Sequence, residues 1–327
     1  MRTRTLGATG PAVSTLALGA MSMSGSYGAA DRDESIATIH AALDAGINLI
    51  DTGDFYGMGH NELLIRDALR TAGRDQVNLS VKFGALRGPD TTWGGIDNRP
   101  AAVRNFLGYT LTRLGTDHVD IYRPARLDPA VPVEETIGAL SELVQAGYVR
   151  HVGLSEVDAA TIRRAHAVHP IADLQVEYSV ISREPEGEVL DTLRELGIGM
   201  TAYGVLSRGL ISGHWTATRQ WEPGDFRSFS PRFSAENVAH NVSLAESLRP
   251  LAESRGATVA QLAIAWVLAQ DPGIVPLIGA RTRTRLSESL GALNVELTAD
   301  DLAEIEKAVP RGAARGDRYP ASVSTAR

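Results

Sequence analysis

The chain has 327 residues, 43% hydrophobic and 22% charged, with a formal net charge of -7 at pH 7 and no cysteine. This is an ordinary balance for a globular enzyme with one sizeable core, and the net negative charge gives a nucleic-acid partner no support. The missing cysteines exclude disulfides, thiolate catalysis and cysteine-ligated zinc or iron–sulfur centres.

In chain order, RTLGATGPAVS (4–14) carries turn residues at Gly7 and Gly10-Pro11 and predicts a small hairpin. LALGAM (16–21) reads as a strand, and Asp33 to Ala45 as a helix stopped by Gly46. INLID (47–51) is the next strand, 59–73 the next helix, VNLSVKFG (77–84) the third strand, and a helix opens at Arg99-Pro100 and runs to about Leu114. HVDIYR (118–123) precedes a helix over 133–147 that stops at Gly147. VRHVGLS (149–155), DLQVEYS (173–179), IGMTAYG (198–204) and IVPLIG (274–279) are four further strands, with Gly197 ending the helix between the second and third of them.

Eight strands separated by helices imply parallel pairing. The count favours a closed (β/α)8 barrel over an open doubly wound sheet, in a single domain spanning 1–327. No G-x-G-x-x-G follows the first strand, so a dinucleotide would have to bind by another arrangement. The long segments 84–98 and 207–235 have the length of binding loops, and the polar tail 311–327 is expected to be flexible. The start of the chain lacks the apolar core of a secretory signal, and no apolar run is long enough to cross a bilayer, so a cytoplasmic protein with no membrane partner is expected. No His, Asp or Glu spacing points to a metal.

The chemistry concentrates in DTGDFYGMGHNE (51–62), which follows a strand and opens a helix. Residues at the C-terminal ends of barrel strands converge on one site, which would bring Asp51, Tyr56 and, one strand later, Lys82 together. A phenol of ordinary pKa about 10 is a poor proton donor at neutral pH, but a neighbouring ammonium favours phenolate, and a carboxylate keeps that ammonium charged. Tyr56 is therefore expected to be unusually acidic and to protonate a carbonyl oxygen, with hydride coming from a cofactor.

These strings, followed in order by V-K-F-G, G-L-S-E (153–156), Gln175, A-Y-G-V-L-S-R-G-L (202–210) and I-G-A-R (278–281), resemble the aldo-keto reductases over nearly the whole chain. The resemblance implies NADPH, a small carbonyl substrate and roles for single residues. Ser155 and Gln175 would hold the nicotinamide carboxamide, and Glu156 stands where many members have Asn. Tyr203 would stack on the nicotinamide; Met21, Leu206, Ser207 and Gly209 would line the nucleotide, with the last three along the pyrophosphate. Gly279, Arg281, Arg285 and Glu288 would surround the adenosine ribose and its 2′-phosphate. GARTRTR (279–285) is also a cationic cluster at a helix start, suited to a phosphate.

One position departs from that pattern. The histidine these enzymes carry at the end of the fourth strand is replaced by Ala125, within Asp120-Ile121-Tyr122-Arg123-Pro124-Ala125-Arg126. Arg123 shares a strand face with Ala125, so if that face looks inward its guanidinium would reach into the vacated space, with Asp51 as its acidic partner; the alternative sends Arg123 to a structural ion pair and leaves water in the gap. Tyr27 and Trp93, with Trp215, Trp221 and Phe226, are expected to shape an aromatic substrate pocket. Two other readings remain at this stage: a nucleotide-binding regulatory subunit of the same fold, and a Schiff-base aldolase with Lys82 as nucleophile.

Overall fold

Three elements precede the first helix. β1 (Thr3–Thr5) and β2 (Ala12–Ser14) form the expected antiparallel hairpin, and β3 (Ala17–Gly19) starts the main sheet. Then follow α1 (Arg32–Asp44), β4 (Leu49–Gly53), α2 (His60–Ala72) and β5 (Asn78–Phe83). The segment expected to be irregular between 84 and 98 holds a second hairpin, β6 (Ala85–Arg87) and β7 (Trp93–Ile96). The chain continues through α3 (Pro100–Leu114), β8 (Val119–Pro124), α4 (Val133–Gln145), β9 (Val149–Ser155), α5 (Ala159–Val168), β10 (Ile171–Glu177), α6 (Glu188–Leu196) and β11 (Gly199–Tyr203). After a long loop come α7 (Val238–Ser247), α8 (Arg249–Ser254), α9 (Val259–Gln270), β12 (Ile274–Gly279), α10 (Arg283–Leu290) and α11 (Ala299–Ala308). The expected helix stops at Gly46, Gly147 and Gly197 all take positive φ, at 86°, 83° and 65°.

The eight strands β3, β4, β5, β8, β9, β10, β11 and β12 close into a parallel barrel in a computed structural model that describes residues 1–320. The alternative of an open sheet is thereby removed. Side chains alternate along each strand, so one set packs outward against the helices and the other fills the barrel. The outward set makes the large core, with Leu79, Val81, Phe83 and Tyr122 among its buried members. The inward set is apolar only at the N-terminal end, where Ala17, Leu49, Ile121, Val275 and Leu277 pack with Leu6 and Val13 of the hairpin. The β1–β2 hairpin thus seals the floor of the barrel.

Above that floor the interior turns polar, which is where the candidate site lies. The loop over 207–235 is made of short 3-10 turns, and Trp215, Trp221 and Phe233 pack on one another with ring centroids 5.0–5.9 Å apart. Residues 311–320 lie across the mouth of the barrel instead of hanging free: the Arg318 carbonyl accepts from Arg208 at 2.6 Å, and the Tyr319 hydroxyl lies 2.8 Å from that of Tyr203. The rest of the polar tail, 321–327, is outside the described residues.

Candidate active site

The lower polar layer is set by Arg123 on β8. Its side chain is wholly buried and runs across β9 to β10, where Nη1 donates to Asp173 at 2.8 Å. Gly153 makes that path available, since a Cβ there would sit 3.2 Å from the guanidinium carbon and 2.7 Å from an Asp173 oxygen. Thr201 on β11 donates to the same carboxylate at 2.7 Å. The other end of the guanidinium donates to Ser80 at 2.9 Å, and Ser80 in turn donates to Asp51 at 2.8 Å. The expectation that Arg123 pairs with Asp51 and reaches a substrate is therefore corrected. Its counter-ion is Asp173, because a fully desolvated guanidinium needs a carboxylate in direct contact, and its reach toward Asp51 passes through a serine.

The upper layer joins the strand-end residues. Asp51 and Lys82 form a buried ion pair, and Gln175 closes it by accepting from Lys82 at 2.8 Å and donating to Asp51 at 2.7 Å. Gln175 is thus a third member of this cluster, with both ends of its amide already engaged, a use the sequence reading did not foresee. Burial pulls the Lys82 ammonium below its ordinary value, against the opposing pull of Asp51. Its Nζ lies 5.2 Å from the centroid of the Tyr56 ring.

Tyr56 is not made acidic by this neighbour. Burial above all, and then the Asp51 carboxylate, hold its phenol well above the ordinary value, with Arg126 pulling the other way. The physical reason is burial: taking the phenol out of water disfavours its ionised form more than the cations around it favour that form. Tyr56 consequently remains a loaded O–H donor across the neutral range.

The loop carrying Tyr56 is anchored from below. The Asp54 backbone N–H donates to the Lys82 carbonyl at 2.9 Å. The Asp54 side chain is 7% exposed, and the backbone amides of Gly84 and Phe55 approach its carboxyl without closing a hydrogen bond. Burial, and then Glu62, push it up to about 8. Glu62 is itself fully buried and paired with Arg113.

On the far side of the barrel, Ser155 ends β9 with its hydroxyl buried and without a partner among the described residues. Glu156 follows with a φ of 53°, a left-handed conformation that Asn adopts far more easily. Its carboxylate accepts from Tyr203 at 2.8 Å and from Arg318 at 2.8 Å. Burial pushes Glu156 up, but the Arg318 contacts outweigh it and bring the carboxyl down to about 2. After Leu206, the residues Ser207, Arg208 and Gly209 all take positive φ, at 47°, 59° and 93°, in a tight turn. Met21 starts the turn after β3 and is half-buried.

At the end of β12, Gly279 faces open space. The arginines beyond it are engaged: Arg281 donates to the carbonyls of Tyr27, Gly28 and Ala29, and Arg285 pairs with Glu288 at 2.9 Å. At the first turn of α10, the Glu34 carboxylate accepts from the Arg283 backbone N–H at 2.9 Å and from its guanidinium at 2.8 Å. An internal carboxylate therefore already sits where an anion is expected.

Of the expected substrate residues, Tyr27 is half-buried, with Arg227 4.9 Å from its ring, while Trp93 is 45% exposed on the β6–β7 hairpin. Trp215 and Trp221 serve the inner packing of their own loop. Among the described residues a cavity of about 520 Å³ opens at the mouth of the barrel, with Arg126, Arg183, Arg232, Arg311, Arg318, Glu156 and Tyr319 in its wall and none of the expected aromatics lining it.

Comparison with known proteins identifies the family and its fold. The model of the aldo/keto reductase family matches residues 15–310. The chain is 41% identical over 317 residues to probable aldo-keto reductase 1 of Glycine max, covering 96% of this chain and 90% of the relative. Among solved structures, the glycerol dehydrogenase of Gluconobacter oxydans superposes with a TM-score of 0.84 at 30% identity, covering 94% of both chains. A thermostable aldo-keto reductase solved with the inhibitor epalrestat gives 0.74 at 27% identity, covering 94% of this chain and all of the other. A closed barrel with a lysine–carboxylate pair and a tyrosine at its mouth, matched along nearly its whole length, belongs to the aldo/keto reductase family.

Proposed function

We propose that this oxidoreductase reduces an aldehyde or ketone to an alcohol with NADPH as reductant and Tyr56 as proton donor. The observation that carries the reading is the buried Asp51–Lys82–Gln175 cluster directly beside the Tyr56 ring. NADPH, when bound, supplies the hydride. Several residues fit it. The unpartnered Ser155 hydroxyl suits a carboxamide, the Tyr203 ring offers a face, and Met21 and the 206–209 turn give a path for the pyrophosphate. The open approach at Gly279, with Arg281, Arg285 and Glu288 beyond it, suits the adenosine ribose and its 2′-phosphate.

As negative charge develops on the carbonyl oxygen, the Tyr56 hydroxyl donates its proton. The phenolate left behind is stabilised by the Lys82 ammonium, whose position Asp51 and Gln175 fix. Arg123 acts at one remove, holding Ser80 under Asp51. The same geometry disfavours the aldolase reading, because a lysine nitrogen held by two partners is poorly placed to attack a carbonyl. A regulatory subunit would bind nucleotide without turnover.

The test is fluorescence titration with NADPH and NADH, followed by steady-state oxidation of NADPH against a panel of aldehydes. Tyr56→Phe should lower kcat by about 10²–10⁴-fold with nucleotide affinity retained. Undiminished turnover in that variant overturns the assignment of Tyr56, and nucleotide binding without turnover of any aldehyde favours the regulatory reading.

A further inference from the structure

The cavity between the barrel mouth and residues 311–320 has a cationic wall. Three of its arginines are neutralised where they stand. Arg318 pairs with Glu156, Arg183 with Glu186 at 2.6 Å, and Arg232 lies 3.5 Å from Glu177. Arg126 and the exposed Arg311 are different: among the described residues neither guanidinium has a carboxylate within 4.0 Å, and Arg126 is the one at the end of a barrel strand. The Arg126 Nη1 donates to the carbonyl of Ala125 at 2.6 Å, its guanidinium carbon lies 5.6 Å from the Tyr319 ring centroid, and the Tyr203 hydroxyl and the Glu156 charge act on it without a closed contact. A half-buried guanidinium with phenols and a backbone carbonyl for company retains donors and a charge that call for an anion.

Arg126 also stands at the junction of cavity and reacting centre. Tyr56 and Lys82 lie outside the cavity wall, yet both feel the Arg126 charge, which pulls each of them down. Arg126 lies just beyond the end of β8, and β8 pairs with β5, the strand that carries Lys82. A molecule gripped at Arg126 is thus held at the same end of the barrel as Tyr56.

We propose that Arg126 is a recognition residue for a carboxylate borne by the substrate, so that the preferred carbonyl compounds are oxo-acids with the carboxylate remote from the reacting carbon. The inference rests on the reading of Tyr56 as proton donor. A monoanion fits better than a dianion. The planar fork of Arg126 matches a carboxylate, and Glu156, Glu184 and Asp317 in the same wall would repel a second negative charge. The cavity has room for a substituted benzoate.

The experiment compares 4-carboxybenzaldehyde with its neutral methyl ester on the NADPH-loaded, full-length enzyme. Wild type should favour the acid in kcat/KM by at least about tenfold, with the difference in KM, and the preference should shrink as salt is raised. Arg126→Met, which keeps the stem, should bring the ratio close to one, and Arg126→Lys should restore part of it. Circular dichroism reports whether each variant is folded, and the wild-type and lysine ratios still decide if the methionine variant is not. A second readout needs no turnover: binding of 4-(hydroxymethyl)benzoate, followed by tryptophan fluorescence, should weaken at least tenfold in Arg126→Met. A wild-type ratio near one, or an unchanged ratio in a folded Arg126→Met, overturns the proposal while leaving the reductase reading intact. Arg126-dependent binding of the acid with neither aldehyde reduced supports the anion site and overturns the reductase reading.

Discussion

Asp54 lets a pH dependence be worked out from a single buried carboxyl. Its ordinary value of 3.8 is pushed up to about 8, first by burial and then by Glu62. Between those two values the folded chain holds a proton that the unfolded chain has lost. Stability must therefore fall as pH rises through that window and level off above about pH 8. At 1.36 kcal/mol per pKa unit, the ionised form is disfavoured by about 6 kcal/mol in all, of which about 3 kcal/mol lies between about pH 6 and pH 9. Asp54→Asn keeps a neutral side chain of nearly the same shape and removes the titration, so other ionisable groups cancel in the comparison. Urea unfolding of both proteins should show the variant gaining about 3 kcal/mol on the parent from about pH 6 to pH 9. Because Asp54 also ties the Tyr56 loop to β5 through its backbone, kcat of the parent should decline above about pH 8 while that of Asp54→Asn holds up further. A stability difference that stays flat across this range would refute the reasoning.

Other variants probe other layers. Arg123→Met or Asp173→Asn alone strands a fully desolvated charge and should cost about 3–5 kcal/mol in urea unfolding, with the double variant losing less than the sum of the two. Gly153→Ala, which places a methyl group against the Arg123 guanidinium, should lower the melting temperature and reduce kcat with little change in nucleotide affinity. Glu34→Ala frees the first turn of α10 and should tighten NADPH binding several-fold in a fluorescence titration while leaving NADH nearly unchanged. Equal gains for both nucleotides would mean that the 2′-phosphate does not compete with Glu34.

The barrel was legible because its strands are short apolar runs bounded by glycine, and β9 and β12 coincide with VRHVGLS and IVPLIG. Asp51, Tyr56 and Lys82 could be found for a related reason, since each lies at or just beyond a strand end. What the chain does not announce is contact across the barrel. Asp173 meets Arg123 from 50 residues away, over an intervening strand, and no local pattern marks the pair. A usable signal was present in Gly153, a glycine on an inward strand position beside an arginine on the neighbouring strand. The order of residues 311–320 was equally hidden, because it comes from Arg318 on Glu156 and Tyr319 on Tyr203 and from no hydrophobic repeat. Trp215 and Trp221 misled because composition cannot tell a loop's own packing from a binding wall.

The hairpin that seals the floor with Leu6 and Val13, and the Arg123 and Lys82 layers stacked above it, close the barrel at one end. Whatever reacts with Tyr56 must therefore approach from the opposite end, so the loops and residues 311–320 around that mouth decide what is admitted.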